Sequence, residues 1–225
     1  MNALVRIAAT GLVLCASASV AQVDPAFAPV KDDPKLPRVL LIGDSISIGY
    51  TSSVRRRLAG KANVHRAPEN CQYSAYGLEH LNSWLGDGKW DVIHFNWGIW
   101  DTHHFKDGKV RTTPKQYGEN LAKLVAVLKT THAKLIWATT TPLVTYQHGD
   151  LLVRSEDIPV YNAAAESVMR ENKVAVDDLN SFMLPHERRY HTSDGCHFTP
   201  AGNEYLAVHV VNSVEDALRA ECVLH

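Results

Sequence analysis

The sequence has no excess of charge of either sign. Its 23 Lys and Arg residues are balanced by 24 Asp and Glu residues, which leaves a formal net charge of −1 at pH 7. A protein that binds nucleic acid through its phosphates needs a basic surface, so this balance does not support a nucleic-acid partner. Long apolar runs are also missing after the N-terminus, where no stretch of about 18 uninterrupted apolar residues occurs. The sequence therefore predicts no membrane span in the mature chain.

The first 21 residues have the features of a secretory signal peptide. One basic residue, Arg6, precedes a short apolar core over 7–14, and small residues follow up to Ala21. Cleavage after Ala21 fits best, with Ala18 as second choice. An ordinary first helix is one alternative, and lipidation at Cys15 is another, although Leu14 stands where a small residue is expected. The pattern favours export to a periplasm or beyond.

Residues 22–37 are rich in Pro and Asp and show no apolar periodicity. This composition is typical of a linker between a leader and a domain. The remaining residues, 38–225, are long enough for one α/β domain with a sizeable core.

Cysteine is scarce, with four residues in the whole chain. Loss of the leader would leave Cys71, Cys196 and Cys222, which in an oxidising compartment permit one disulfide and one remaining thiol. Cys71 and Cys196 both fall in loop-like stretches close to predicted catalytic residues. We hypothesise that a Cys71–Cys196 bridge ties these two loops together.

Short apolar runs alternate with helical patterns along the rest of the chain. The runs predict strands over 39–42, 63–65, 91–96, 134–139 and 174–177, and the periodic stretches predict helices over 48–58, 77–85, 114–129, 158–171 and 200–220. Strict alternation of this kind indicates a parallel five-stranded sheet with helices on both faces. Ligands bind beyond the carboxyl ends of such strands, where Ser45, Asn96 and Thr139 fall.

Ser45 follows the first predicted strand directly, in the stretch Gly43-Asp44-Ser45. A serine between a buried strand and a helix N-terminus is well placed to be a nucleophile, since unpaired N–H groups and the helix dipole favour negative charge there. Such a serine needs a base. Asp194-Gly195-Cys196-His197 can supply one, with the carboxylate orienting the imidazole. A capping loop is the structural alternative for that segment.

Together these segments resemble the SGNH hydrolases, also called GDSL esterases/lipases. The resemblance implies a flavodoxin-like three-layer α/β/α fold and ester hydrolysis without metal or cofactor. It makes Ser45 the nucleophile, His197 the general base and Asp194 the orienting acid. It also matches Gly77 to the glycine whose N–H forms the oxyanion hole together with that of Ser45.

The third block of the family pattern is altered here. The family shows Gly-x-Asn-Asp after the third strand, whereas Gly98-Ile99-Trp100-Asp101 places a tryptophan at the asparagine position. An indole N–H can donate one hydrogen bond, but its bulk and geometry differ from those of a carboxamide. We predict that Asn96 is the third oxyanion donor. The other interpretation is that Asn96 caps the strand end and that only backbone donors form the hole.

Aromatic residues are frequent in the predicted active-site loops. Tyr73, Tyr76, Trp97 and Trp100 can stack on sugar rings there, although such side chains also fill cores. The pair His103-His104 lacks a third ligand at supporting spacing, so a loop able to contact substrate is expected rather than a metal site. We assign four further residues to packing: His94, Trp84, Trp90 and Trp137.

The sequence therefore predicts a serine esterase that works through an acyl-enzyme on short-chain O-acetyl esters of carbohydrate. A lysophospholipase or thioesterase with an acyl groove is the enzymatic alternative. A non-catalytic carbohydrate-binding protein on the same scaffold is the alternative from another class, favoured by Trp100 in the asparagine position.

Overall fold

Five short strands lie side by side in one parallel sheet, in the order β2-β1-β3-β4-β7. The computed structural model describes residues 24–220. The predicted leader, Cys15 and Cys222 lie outside these residues. The strands of the sheet are β1 Arg38–Ile42, β2 Asn63–Arg66, β3 Val92–Phe95, β4 Lys134–Ala138 and β7 Ala175–Asp177; β5 Tyr146–His148 and β6 Leu151–Val153 form a separate antiparallel hairpin.

Seven α-helices accompany the strands in the described part of the chain. They are α1 Ser45–Arg57, α2 Ser74–Leu85, α3 Pro114–Lys129, α4 Asp157–Asn172, α5 Leu179–Met183, α6 Glu187–Tyr190 and α7 Pro200–Arg219. The five predicted strands and five predicted helices are all confirmed. Three-residue 3-10 helices cover Pro25–Phe27 and Leu184–His186. None of the helices over residues 24–220 is long and apolar enough to cross a membrane.

The sheet is buried on both faces, which gives three layers. Along β1, Val39 and Leu41 belong to one apolar cluster, whereas Leu40 and Ile42 belong to another. This alternation follows from the period of two in a strand. Helices α1 and α7 cover the first face, and α2, α3 and α4 cover the second. The predicted three-layer α/β/α fold is confirmed.

Helices α1 and α7 pack closely against each other, and both begin at the same edge of the sheet. A Cβ on Gly49 would lie 2.7 Å from Oδ1 of Asn203, so the two backbones approach where α1 has no side chain. Asp44 caps α1 by accepting a bond from the Ile46 N–H, and Thr199 caps α7 by accepting one from the Gly202 N–H.

The described part of the predicted linker is packed on the domain. Asn63 at the start of β2 donates from its amide to the carbonyls of Asp33 and Leu36, and its Oδ1 accepts the Asp33 N–H. The Phe27 ring lies 5.4 Å from the Arg66 guanidinium. These contacts cover the outer strand of the sheet, so the segment belongs to the folded unit.

Helix α2 begins at Ser74, earlier than predicted, and this places Gly77 inside its first turn. The Gly77 N–H donates to the Tyr73 carbonyl at 3.1 Å. A Cβ at Gly77 would lie 2.7 Å from the indole of Trp97, which is completely buried. The prediction that Gly77 donates to the oxyanion hole is therefore wrong, because its N–H is bonded within the helix. Its role is to admit the Trp97 ring.

A buried carboxylate joins the sheet to α7. Asp177, at the end of β7, accepts a bond from Nε2 of His94 at 2.8 Å and another from Nδ1 of His209. Asp177 and His94 are completely buried, whereas the side chain of His209 is 31% exposed. Burial raises the pKa of Asp177, but the bonds from both imidazoles outweigh it and hold this pKa well below its usual range. The bond to Asp177 raises the pKa of His209, against a smaller opposing effect of burial.

The charge on His209 should stabilise the fold only at pH values below the raised pKa of this residue. A pKa raised above 6.5 in the folded state adds stability that is fully present below pH 6.5 and is lost as the pH rises through the raised value. His209→Asn keeps a neutral donor at the Nδ1 position and lacks the charge. The wild type should exceed this variant in unfolding free energy by about 1 kcal/mol at acid pH, and by less at pH ~9. Urea titrations at both pH values measure this, and a difference that does not change with pH would contradict the assignment.

Gly77→Ala should destabilise the protein although it replaces a helical glycine. The added methyl would overlap the fixed Trp97 ring, and overpacking of this kind costs about 1–3 kcal/mol. Gly118→Ala in α3 is the matched control, since the only atom near its Cβ is a Val168 methyl at 3.9 Å. That change should stabilise by up to about 1 kcal/mol through helix propensity. Equal unfolding free energies of the two variants would show that Trp97 does not restrict Gly77.

Candidate active site

Ser45 lies at the junction of β1 and α1, beyond the carboxyl end of β1. The sheet order reverses between β1 and β3, which is where ligands bind in folds of this class. Ser45 is partly exposed and is the first residue of α1. None of the hydrogen bonds within residues 24–220 uses its N–H. This free donor and the positive end of α1 both favour negative charge beside the serine oxygen.

His197 bridges Ser45 and Asp194, as the sequence predicts. Its Nε2 lies 2.8 Å from Oγ of Ser45, and its Nδ1 lies 2.7 Å from Oδ2 of Asp194. An ionised carboxylate only accepts, so Nδ1 carries the proton and Nε2 accepts from the serine hydroxyl. The three side chains are thus ordered as nucleophile, base and orienting acid.

The Asp194 carboxylate is held by a turn of its own segment. Its Oδ1 accepts the N–H groups of Cys196 and His197 at 2.9 Å each and the Thr192 hydroxyl at 2.8 Å. Desolvation raises the pKa of Asp194, but these bonds and the one from the His197 ring hold it well below its usual range. The carboxylate therefore stays ionised and keeps the imidazole oriented.

Arg66 braces the nucleophile turn, a role that the sequence analysis missed. At the end of β2 its Nη2 donates to the Gly43 carbonyl at 2.7 Å, and its Nη1 donates to the Ser47 hydroxyl. The side chain is buried, so the guanidinium connects the residues on either side of Ser45 inside the protein. Burial raises the pKa of Asp44, whereas the hydrogen bond from the Ile46 N–H and the positive charge of Arg66 lower it by less. The only sequence signal for this role is an arginine directly after the predicted strand over 63–65.

Asp101, the last residue of the altered block, holds the start of α2. It is completely buried and accepts both the N–H of Ser74 at 3.0 Å and the Ser74 hydroxyl at 2.6 Å. Burial raises its pKa to about 6, although the bonds from Ser74 oppose this. Asp101 therefore links the loop after β3 to the loop after β2.

The structure does not support Asn96 as an oxyanion donor. Its Nδ2 donates to the Ala138 carbonyl at 2.7 Å and to the Thr140 hydroxyl at 3.4 Å, so both amide hydrogens are directed at the end of β4. Asn96 thus links the carboxyl ends of β3 and β4. This agrees with the other interpretation, in which Asn96 caps the strand end. Trp100, the other residue weighed for this function, lines the cavity beside His197.

Of the four aromatic residues predicted to bind substrate, only Trp100 lines that cavity. Trp97 is a core residue, completely buried with its Nε1 bonded to the Cys71 carbonyl at 3.1 Å, so the prediction for it is wrong. Tyr76 donates to the Glu69 carboxylate at 2.6 Å, and the Tyr73 ring packs 4.8 Å from the Arg111 guanidinium. His94, Trp84, Trp90 and Trp137 are buried, which confirms their assignment to packing.

The hypothesised Cys71–Cys196 disulfide is absent, because both residues are free thiols. Cys71 belongs to the apolar cluster on the α2 side of the sheet, and Cys196 to the cluster on the α1 side. Burial raises the pKa of each thiol to about 12. The two loops are held instead by Asp101 and by the Asp194 turn.

A cavity of about 590 Å³ opens beside His197. Its far wall is the β5–β6 hairpin, which the sequence analysis missed although the Gly149-Asp150 turn is a hairpin signal. The loop after β3 extends this hairpin, since His104 pairs with Leu152 in antiparallel fashion. The lining residues are Trp100, His103, Tyr146, Gln147, His148, Leu151, Val153, Ser193, Asp194, Cys196 and His197.

Solved structures with this fold include several ester hydrolases. A lipase/acylhydrolase from Enterococcus faecalis superimposes with a TM-score of 0.68 at 22% identity, over 80% of this chain and 96% of that one. A GDSL-like lipase from Bacteroides thetaiotaomicron VPI-5482 gives 0.66 at 18% identity, over 86% and 94%. The acetyl xylan esterase AlAXEase gives 0.65 at 16% identity, over 79% and 99%. No curated protein sequence matches the chain significantly.

The model of the GDSL-like lipase/acylhydrolase family matches residues 41–205, from β1 into α7. This range contains Ser45, Asp194 and His197, and it covers most of the chain. The protein therefore belongs to the GDSL-like lipase/acylhydrolase, or SGNH hydrolase, family and is a serine ester hydrolase.

Proposed function

We propose that the protein removes short acyl groups, chiefly acetyl, from the hydroxyl groups of carbohydrate. The observation that carries the catalytic part of this proposal is the chain of short contacts from Ser45 through His197 to Asp194. The same contacts argue against a non-catalytic binding protein, because a binding surface has no need of an activated serine.

The reaction proceeds through an acyl-enzyme. Ser45 Oγ attacks the ester carbonyl while His197 Nε2 takes its proton, and Asp194 stabilises the imidazolium. The free N–H of Ser45 and the N-terminus of α1 stabilise the tetrahedral oxyanion. His197 then gives the proton to the leaving alcohol. In the second half, His197 takes a proton from the water that attacks the acyl-enzyme and passes it to Ser45 Oγ as the acid is released.

The cavity beside His197 supports a carbohydrate as the alcohol. Trp100 and Tyr146 offer aromatic faces that can stack on a sugar ring. His103, Gln147 and His148 bring polar groups to the same space. A volume of about 590 Å³ is in the range that holds a small ligand.

One observation favours hydrolysis of longer acyl chains instead. Leu151 and Val153 of the hairpin line the same cavity with aliphatic side chains. If the acyl group rather than the alcohol enters there, the enzyme would act as a lysophospholipase or thioesterase.

Ser45→Ala should abolish hydrolysis of p-nitrophenyl acetate, because no other described serine contacts His197 Nε2. Ser52→Ala on the same helix is the matched control and should keep wild-type turnover. A fluorophosphonate should label the wild type at Ser45 and should not label the Ser45→Ala variant. Substantial turnover by Ser45→Ala would exclude this serine as the nucleophile.

The preferred acyl chain length depends on whether the alcohol or the acyl half of the ester enters the cavity. For p-nitrophenyl esters of increasing chain length, kcat/KM should be highest for acetate and should fall at least ten-fold by octanoate if the cavity receives the alcohol. Rising kcat/KM up to octanoate would support the lysophospholipase or thioesterase alternative.

A further inference from the structure

His103 lies on the wall of the active-site cavity and plays no part in the mechanism above. It follows Asp101 in the loop after β3, and it lines the same cavity as Trp100 and His197. The residue is 7% exposed, and its ring centroid lies 5.3 Å from that of Trp100. Its Nδ1 lies 3.2 Å from Nη2 of Arg111.

The contact with Arg111 determines which nitrogen of His103 carries a proton. A guanidinium is always charged and only donates, so Nδ1 of His103 must accept and must be unprotonated. The remaining proton is then on Nε2. Burial and, to a lesser extent, the charge of Arg111 together lower the pKa of His103 to about 4, so the ring is neutral at physiological pH.

Arg111 is itself surrounded by aromatic rings. Its guanidinium lies 4.8 Å from the Tyr73 ring, 5.6 Å from Trp100 and 5.5 Å from Phe105. Its positive charge lowers the pKa of Asp101, and its buried Nε has no hydrogen-bond partner within residues 24–220. Three rings around a cation favour one position of the guanidinium. Arg111 is therefore a positioning residue that acts through His103.

The Nε2–H of His103 is left as a donor. No group over residues 24–220 accepts a hydrogen bond from it, whereas the neighbouring His104 uses its Nε2 on the Asp157 carboxylate at 2.7 Å. A donor on a cavity wall without a protein acceptor is available to a ligand oxygen.

We propose that the His103 Nε2–H binds a hydroxyl or ring oxygen in the alcohol half of the ester and selects oxygen-rich alcohols. His197 gives its proton to the departing alcohol, so the cavity that His197 lines receives that half of the substrate. The inference rests on the proposed function. A site built to bond a substrate oxygen disfavours analogues that lack it.

The test is the ratio of kcat/KM for a monoacetylated methyl xyloside to kcat/KM for cyclohexyl acetate, which has a ring of the same size without oxygens. The wild type should prefer the sugar ester. His103→Leu should lower the ratio roughly five- to ten-fold, the worth of one neutral hydrogen bond. His103→Gln places an amide donor near the Nε2 position and should restore most of the preference.

His104→Gln is the matched control and should leave the ratio unchanged, since His104 contacts Asp157 and does not line the cavity. Nitrogen NMR of histidine-labelled wild type at neutral pH should show His103 protonated at Nε2 only. A proton on Nδ1, or an unchanged ratio in a folded His103→Leu variant, would overturn the inference alone. A wild type with no preference for the sugar ester would overturn the proposed substrate class and the His103 inference together.

Discussion

The packing of α7 on α1 is the interaction on which the active site depends. Ser45 begins α1 and His197 precedes α7, and 152 residues separate them in the chain. Both helices cover the same face of the sheet and begin at its carboxyl edge, with the close approach at Gly49 and Asn203 setting their distance. Because the two N-termini are adjacent, a side chain from one reaches a side chain from the other.

Buried charges hold the backbone turns around this exposed pair. Arg66 connects the residues flanking Ser45, and Asp101 connects the loops after β2 and β3. Charges inside a protein interact strongly, and leaving one without partners is costly. These groups therefore define the turns firmly. Asp194 and His197, by contrast, have side chains that are nearly half exposed, so substrate can reach the base.

The two tryptophans in and beside the altered third block have different roles. Trp97 enters the core and requires a glycine opposite it, which explains Gly77 in the first turn of α2. Trp100 remains at the site and, with Arg111, fixes the surroundings of His103. Where the family has an asparagine amide, this protein therefore has the Trp100 ring next to the His103 imidazole. In our proposal, this part of the cavity wall determines which alcohol is preferred.

The sequence by itself determined the α/β/α fold, the strand and helix positions, and the triad of Ser45, Asp194 and His197. Apolar periodicity and a serine after a buried strand are local signals, and parallel strands bring their carboxyl ends to one edge. Only the tertiary structure decided the roles of Gly77 and Asn96. Both residues carry a hydrogen-bond donor that could face an oxyanion. In the structure, however, the Gly77 N–H is bonded within the first turn of α2 and the Asn96 amide is bonded to the end of β4, so neither donor is available. The tertiary structure also decided that Cys71 and Cys196 are free thiols. The two residues belong to apolar clusters on opposite faces of the sheet, so the sheet separates them.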